Sequence, residues 1–139
     1  MQRKKTLRVL FDTNFLLLPA RYNLNIIEGI ADLLNSSYEP VVLYSTIREL
    51  RKLAERGGKI GRFSRLALKI CEKLVILNDA EIEGDVDQKI VELATKLGLI
   101  VATNDVELRR KLREKGVSVI FFREKDRRLD IEGDPYYNK

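Results

Sequence analysis

Four acidic residues are placed along the sequence where they could act together in hydrolytic chemistry. Asp12 closes an early apolar run, and Asp105 follows a later one. Glu49 and Asp87 fall in the opening turns of the helices predicted after the second and third strands. In open α/β sheets, ligands bind at the carboxyl ends of the strands. Four carboxylates gathered there repel one another unless cations neutralise them, and hard ions such as Mg²⁺ and Mn²⁺ prefer oxygen ligands. The sequence therefore predicts a divalent-metal site.

Alternating strands and helices would carry these acids. Short apolar runs predict strands at 7–11, 41–44, 75–77, 99–103 and 117–122. Helical spacing of apolar residues, with glycines after several of the segments, predicts helices at 24–34, 46–56, 61–74, 85–97 and 106–115. This alternation indicates a three-layer α/β/α sandwich with a central, mostly parallel five-stranded sheet.

Length and composition fit one compact domain over residues 1–122. The chain has 139 residues, of which 45% are hydrophobic, and this is enough for one core. Residues 123–139 are charged and lack core periodicity, which predicts a solvated C-terminal tail, with a partner-binding or RNA-binding extension as the alternative. No apolar stretch of about 18 residues occurs, so no membrane contact is expected. The basic start does not resemble a secretory signal, and a cytoplasmic location is expected.

Several chemistries are excluded by missing residue types. The chain has no histidine, so it cannot build a Ser-His-Asp or Cys-His nucleophile system by itself. Its single cysteine, Cys71, lies in an apolar stretch and is interpreted as a buried core thiol. No glycine-rich phosphate-binding loop is present. Carboxylates acting with metal ions remain as the route to hydrolysis.

Charge is distributed unevenly along the chain. Residues 48–73 contain nine basic and three acidic side chains, whereas residues 74–108 contain two basic and eight acidic ones. A basic rim beside an acidic, metal-binding centre suits a polyanion that is held by its backbone and cut at a phosphate. The alternative is that the basic residues merely form the solvated faces of helices. The candidate RNA-binding residues are Arg48, Arg51, Lys52, Arg56, Lys59, Arg62 and Arg65.

Helix capping offers a structural explanation for three of the four acids. Thr46 and Glu49 have the spacing of a capping box. Asp85 could cap the next helix, with Asp87 favoured by the helix dipole. In the same way Asn104 or Asp105 could cap the helix that starts at Val106, with Glu107 completing a box. Capping does not explain Asp12, which ends a strand with no long helix after it.

These residues together resemble the PIN-domain nucleases. The resemblance rests on the D-T-N triplet at 12–14, on Glu49, on Asp87, and on the segment LGLIVATND at 97–105, and it covers roughly residues 7–122. Within that family, the segments around Asp12 and Thr103 are most similar to the branch that processes small-subunit ribosomal RNA precursors.

The resemblance implies metal-dependent endonucleolytic cleavage of RNA. Asp12, Glu49, Asp87 and Asp105 would hold one or two Mg²⁺ or Mn²⁺ ions and form the catalytic site. Two ions could stabilise the attacking and the leaving oxygens of an in-line displacement. No histidine base is then needed.

The resemblance also implies supporting roles for neighbouring residues. Thr103 and Ser45 would position a carboxylate or a water molecule, and Asn14 would brace the loop after the first strand. Asp85 and Glu107 could replace or supplement two of the metal ligands.

Other functions remain open at this level. One is the toxin ribonuclease of a toxin–antitoxin pair, held silent by a small antitoxin protein. Another is a PIN-like RNA-binding or scaffold protein without turnover, although retention of all four acids argues against it. A metal-dependent phosphatase is weaker because no nucleophilic D-x-D motif is present. Beyond RNA, the expected partners are a pre-ribosomal particle or an antitoxin, and a second copy in a homodimer.

Overall fold

A computed structural model describes residues 6–136, and in it strands and helices alternate around one sheet. The strands are β1 (Arg8–Phe11), β2 (Glu39–Leu43), β3 (Val75–Leu77), β4 (Ile100–Ala102), β5 (Val119–Arg123) and β6 (Arg128–Glu132). The helices are α1 (Thr13–Leu16), α2 (Leu18–Tyr22), α3 (Ile26–Leu34), α4 (Tyr44–Ala54), α5 (Gly58–Cys71), α6 (Val86–Leu97) and α7 (Val106–Glu114).

The sheet has the strand order β3-β2-β1-β4-β5-β6. The first five strands in that order are parallel, and β6 runs antiparallel to β5. From β1 the chain builds outward through β2 and β3, and then returns to add β4 on the other side of β1. The strand order therefore switches direction between β1 and β4, where Phe11 lies opposite Ala102. In open α/β sheets such a switch point opens a crevice at the carboxyl ends of the strands.

Two apolar cores lie on the two faces of the sheet. Successive residues of β1 alternate between them: Val9 and Phe11 belong to the core under α1 to α5, and Leu10 belongs to the core under α6 and α7. All three side chains are fully buried. The alternation follows from the period of two along a strand. It fixes the sheet between two helical layers and confirms the predicted three-layer α/β architecture.

The sheet has six strands rather than the predicted five. The sixth, β6, lies in the segment from residue 123 that was expected to be a solvated tail, and Ile131 pairs with Ile120 of β5. Leu129 and Ile131 pack against the core on the α1 to α5 face. Only these two apolar residues mark the strand in a charged stretch. The turn before β6 contains no glycine or asparagine. Its left-handed position, with φ of 50°, is occupied by Arg127 instead. The local pattern therefore carried little strand or turn signal.

Two short helices after β1 were also missed. Asp12 caps the first, α1, and Pro19 occupies the first turn of the second, α2, where its missing N–H costs nothing. Helices of four and five residues are too short to show a periodic apolar face. Within residues 6–136, no helix is long and apolar enough to cross a membrane.

Replacing Leu129 with Ala tests the contribution of β6 to the core. We expect the free energy of unfolding to fall by about 1–2 kcal/mol, below most Leu→Ala losses because Leu129 is only half-buried. Urea denaturation provides the measurement. Lys125→Ala, at an exposed position in the β5–β6 turn, is the control and should change stability by less than about 0.5 kcal/mol. Equal stability of the two variants would show that β6 adds nothing to the core.

Candidate functional site

Asp12 stands at the switch point between β1 and β4. Its side chain is only 6% exposed, and its backbone N–H donates to the Ala102 carbonyl at 3.0 Å. Oδ1 accepts from the Thr13 backbone N–H at 2.8 Å, and Oδ2 accepts from Thr103 Oγ1 at 2.7 Å. Both carboxylate oxygens are therefore held by groups from the two neighbouring strand ends.

Two asparagines fasten the loops around Asp12. Asn14 Oδ1 accepts from the Asn104 backbone N–H at 3.0 Å and lies 3.4 Å from Thr103 Oγ1. The Asn104 side chain accepts from the Phe122 N–H at 2.7 Å and donates to the Phe122 carbonyl at 3.1 Å. The loops that follow β1 and β4 are thus joined to each other and to β5.

Asp105 caps α7 and also contacts the Asp12 cluster. Its Oδ1 accepts from the Leu108 N–H at 3.1 Å, while its own backbone N–H donates to Thr103 Oγ1 at 3.1 Å. Capping and a place beside Asp12 are therefore compatible for this residue. Glu107 does not complete a capping box, because its carboxylate pairs with Arg110 on the exposed side of α7.

The other two capping hypotheses have opposite outcomes. Asp85 caps α6 in a full capping box with Gln88. By contrast, α4 begins at Tyr44, two residues earlier than predicted, and no side chain of its own N-cap residue bonds its first turn. Thr46 is fully buried, and its hydroxyl has no partner within the described residues. Glu49, exposed on α4, is therefore not the second member of a capping box.

Mutual repulsion connects the acids electrostatically. Burial raises the pKa of Asp12; hydrogen bonds from Thr103 and Thr13 oppose that rise, and the negative charges of Asp87 and Asp105 add to it. Three of the predicted acids therefore influence one another across the switch point.

Asp87, near the start of α6, lies in a similar field. Partial burial is the first cause of its raised pKa, followed by the charges of Asp105 and Asp85. The positive charge of Lys111 lowers the pKa of Asp87, and the negative charge of Glu49 raises it a little further. Glu49 is the weakest of these named influences on Asp87, and Lys111 is the one named cation that opposes the acids.

The chemistry of the cluster fits a hard divalent cation, since all its charged donors are carboxylate oxygens. Each Asp12 oxygen accepts one hydrogen bond from the protein. Because a carboxylate oxygen can accept more than one such contact, each retains capacity for an ion. Within residues 6–136, however, no three acidic side chains are already arranged as ligands of one ion. The cluster therefore has the oxygen donors that a divalent ion prefers, but within residues 6–136 these donors do not yet surround a common ion position.

Asp79 is a buried carboxylate of this edge that the sequence analysis missed. It follows β3, is fully buried, and accepts hydrogen bonds from both the backbone N–H and the side-chain hydroxyl of Ser45. Lys89 Nζ of α6 lies 3.2 Å from its Oδ2. Ser45 therefore contacts Asp79 rather than a carboxylate of the predicted four. The sequence offered one signal for Asp79, namely its position just beyond the predicted strand at 75–77.

The predicted RNA-binding residues lie along α4, α5 and the turn between them. All seven are exposed, and none forms a salt bridge within the described residues. The two helices approach closely at Gly61, where a Cβ atom would come within 2.0 Å of the Arg56 carbonyl oxygen. Arg65 ties the pair further by donating to the Ala54 carbonyl at 2.8 Å.

Comparison with known proteins identifies the family. Residues 9–125 match the family described as "PIN like domain". The chain belongs to this PIN-like family. It is 37% identical over 93 residues to Ribonuclease VapC9 of Archaeoglobus fulgidus, a match that spans 66% of each chain. It is 30% identical over 121 residues to Ribonuclease VapC4 of Methanocaldococcus jannaschii, covering 85% of this chain and 92% of that one.

A solved PIN domain superposes on most of the chain. The structure of the PIN domain endonuclease Utp24 has a TM-score of 0.76 and 25% identity, and the match covers 90% of each chain. The family assignment confirms the resemblance found in the sequence, and PIN nucleases generally use divalent metal ions. The matched residues include the strand ends that carry Asp12 and Asp105, so the acidic cluster lies inside the PIN-like region.

Replacing Asp12 with Asn tests whether burial and the neighbouring acids together destabilise its ionised form. Folding raises the pKa of Asp12, so the ionised form destabilises the metal-free protein. That penalty is absent below the ordinary aspartate value of 3.8 and grows as the pH rises through the folded-state pKa. In EDTA, we therefore expect Asp12→Asn to be as stable as or more stable than the parent at neutral pH, with the difference shrinking in acid. Urea denaturation across this pH range is the measurement.

Asp130→Asn is the matched control with the opposite sign. Hydrogen bonds from the Ile131 N–H and from Arg123 lower the pKa of Asp130, so its charge stabilises the fold at neutral pH. That variant should be less stable than the parent at neutral pH, and its deficit should vanish in acid. A loss of stability in Asp12→Asn at neutral pH would contradict the account in which burial and the neighbouring acids make the ionised Asp12 destabilising.

Proposed function

We propose that this PIN-like chain is an endoribonuclease that hydrolyses RNA phosphodiester bonds with Mg²⁺ or Mn²⁺ at Asp12, Glu49, Asp87 and Asp105. The observation that carries the proposal lies at the switch point, where Asp12 is almost fully buried and its pKa is raised by that burial and by the charges of Asp87 and Asp105. A protein gains no stability from such an arrangement, and a bound cation would relieve it. The two VapC ribonuclease relatives support RNA as the substrate, and the match to the PIN domain endonuclease Utp24 supports internal cleavage.

The chain's own residues would supply position and charge. A bound divalent ion lowers the pKa of a water molecule and neutralises phosphate charge. Thr103 Oγ1 holds Asp12 Oδ2 at 2.7 Å and receives the Asp105 N–H, so one hydroxyl sets the spacing of two ligands. The Asp105 cap to Leu108 fixes one carboxylate oxygen toward α7 and leaves the other for an ion. Because the chain has no histidine, deprotonation of the nucleophile would rest on metal and carboxylate chemistry.

The exposed basic residues of α4 and α5 are the proposed contact for the RNA backbone. Helix α7 also carries a row of basic residues, but most of them are paired within the protein. Arg110 bonds Glu107 and Glu114, while Arg109 and Arg113 lie 3.6 Å and 4.0 Å from Glu132. Pairing lowers what such side chains can offer to a phosphate, since each new contact must replace an existing one. The basic residues of α4 and α5, which form no salt bridge with any residue of the range 6–136, are therefore favoured.

Two biological settings fit this activity, and a specific observation favours each. The resemblance of the segments around Asp12 and Thr103 to the ribosomal RNA-processing branch favours that setting, with a pre-ribosomal particle as partner, and the superposition on endonuclease Utp24 over 90% of both chains is consistent with it. The two VapC ribonuclease relatives favour a toxin whose partner is an antitoxin protein. A homodimer is compatible with both. Growth arrest on expression, reversed by Asp12→Asn, would indicate the toxin setting, whereas unimpaired growth with defined cleavage of precursor ribosomal RNA would indicate processing.

The activity is tested by incubating purified protein with structured and single-stranded RNA in Mn²⁺, Mg²⁺ or EDTA. We expect internal cleavage with either metal and none in EDTA. Two substitutions at Asp105 separate the metal role from the cap: Asp105→Asn retains a capping oxygen, whereas Asp105→Ala loses it and should cost about 0.5–2 kcal/mol. Both should lose cleavage if the charge at this position holds an ion.

The outcomes of the Asp105 pair are distinct. Lost cleavage in both variants, with instability in Asp105→Ala alone, supports a ligand that is also a cap. An active Asp105→Asn protein would remove Asp105 from the metal site. Metal-independent cleavage by the parent protein would overturn the proposed mechanism.

The salt dependence of RNA affinity tests the basic surface. Replacing Arg51 and Lys52 with Gln removes two phosphate contacts, so the slope of log K against log salt should become shallower by about 0.7 per contact for single-stranded RNA. Affinity should fall across sequences, because phosphate contacts do not read bases. Asp12→Asn in EDTA provides a background without cleavage, and fluorescence anisotropy at several salt concentrations gives the slope.

A matched pair of substitutions controls for net charge. Lys125→Gln with Arg127→Gln makes the same charge change in the exposed β5–β6 turn, at the opposite edge of the sheet from β3. This pair should leave the slope nearly unchanged. Equal effects of the two pairs would mean that binding follows overall charge, and the α4–α5 surface would lose its assignment.

A further inference from the structure

Asp79 connects two helices that carry acids of the candidate site. It lies between β3 and α6 in sequence, is fully buried, and reaches both α4 and α6 with one carboxylate. Its Oδ1 accepts from the Ser45 backbone N–H at 3.0 Å, and Oδ2 accepts from the Ser45 hydroxyl and lies 3.2 Å from Lys89 Nζ. None of these contacts belongs to the acidic cluster around Asp12.

On the α4 side, Asp79 provides the missing cap. The residue before α4, Leu43, has no side chain that can accept a hydrogen bond, and the first turn of the helix has no cap from its own segment. Asp79 fills that role from a distance of 34 residues along the chain. Ser45 and Glu49 are four residues apart, so they lie on one face of α4. The contact that anchors Ser45 therefore also sets the rotation that directs Glu49.

On the α6 side, the same carboxylate holds Lys89, one turn into the helix whose second residue is Asp87. The Lys89 side chain is 13% exposed, and Asp79 is fully shielded from solvent. Although burial by itself raises the pKa of Asp79, the bonds from Ser45 and Lys89 outweigh it and lower the pKa below its usual value. Asp79 is therefore held ionised, and its charge is directed at both helices.

From this geometry we infer that Asp79 is a positioning residue for metal binding, which fixes the spacing and rotation of α4 and α6 so that Glu49 and Asp87 can share an ion. The inference rests on the proposed function of the acidic site. A buried ion pair contributes little net stability, because desolvation offsets the attraction of its charges. The effect of the Asp79–Lys89 pair is therefore geometric. Asp79 links α4, through Ser45, to α6, through Lys89.

The test measures Mn²⁺ binding to RNA-free protein by titration calorimetry, together with cleavage rate as a function of Mn²⁺ concentration. Asp79→Asn keeps the size of the side chain and an acceptor for the Ser45 N–H, but it removes the charge that holds Lys89. Loss of a group that orients metal ligands commonly weakens metal affinity or activity about 10- to 100-fold. We expect a shift of that size in the Mn²⁺ dissociation constant and in the Mn²⁺ concentration for half-maximal cleavage, with RNA affinity in EDTA unchanged.

A second variant keeps the test valid if Asp79→Asn folds poorly. The double change Asp79→Asn with Lys89→Met removes both charges, so no unpaired charge is left buried. It should melt near the parent temperature in EDTA and still show the weakened Mn²⁺ binding. Asp130→Asn is the control, since it breaks an aspartate–arginine pair on β6, at the opposite edge of the sheet from β3, and should bind Mn²⁺ as the parent does.

The outcomes separate this inference from the proposed function. Parent-like Mn²⁺ binding in a folded Asp79→Asn or double variant, with an active parent, would overturn the positioning role alone. A weakened Mn²⁺ affinity equal to that of Asp130→Asn would also overturn it, because the effect would then follow from lost stability in general. A parent protein that neither binds Mn²⁺ nor cleaves RNA would overturn the proposed function and this inference with it.

Discussion

The hydroxyl of Thr103 is the contact on which the acidic edge depends. It donates to Asp12 Oδ2 at 2.7 Å and receives the Asp105 N–H at 3.1 Å, so it holds two like charges on adjacent loops near each other. The charge of Asp105 contributes to the raised pKa of Asp12, so the two carboxylates repel each other. The loops resist because Asn104 bonds both backbone groups of Phe122 and Asn14 receives the Asn104 N–H. Neutral hydrogen bonds thus offset a charge arrangement that lowers stability.

The two apolar cores stabilise the sheet that carries this repulsive arrangement of charges. The last residues of β1 and all of β4, which lead into Asp12 and Asp105, are buried between the two cores, as at Leu10 and Phe11, so the sheet provides a rigid base for these loops. Helices α6 and α7 begin at the same edge, and the partial positive charge of their N-termini favours Asp87 and Asp105. Backbone dipoles therefore supply part of the compensation that a cation would complete.

Local sequence patterns could predict the positions of the four acids but not all of their partners. Apolar runs end just before Asp12 and Asp105, and a parallel sheet brings such ends to one edge, so their placement followed from the fold class. Asp79 was missed because its partner Ser45 lies 34 residues away and no local spacing links them. β6 was missed for a different reason: an edge strand needs apolar residues on one face only, and two of them in a charged stretch resemble a solvated tail.

The sixth strand also affects where a polyanion can bind. Glu132 of β6 lies 3.6 Å from Arg109 and 4.0 Å from Arg113, so this strand pairs two arginines of α7 as well as extending the core. The exposed cations of α4 and α5 have no such partners within the described residues. Because Glu49 lies on α4 among those cations, an RNA backbone attracted to them would be brought alongside one of the four acids. Under the proposed function, the charge asymmetry seen in the sequence would therefore set the direction from which RNA approaches, because the fold has already paired the arginines of α7.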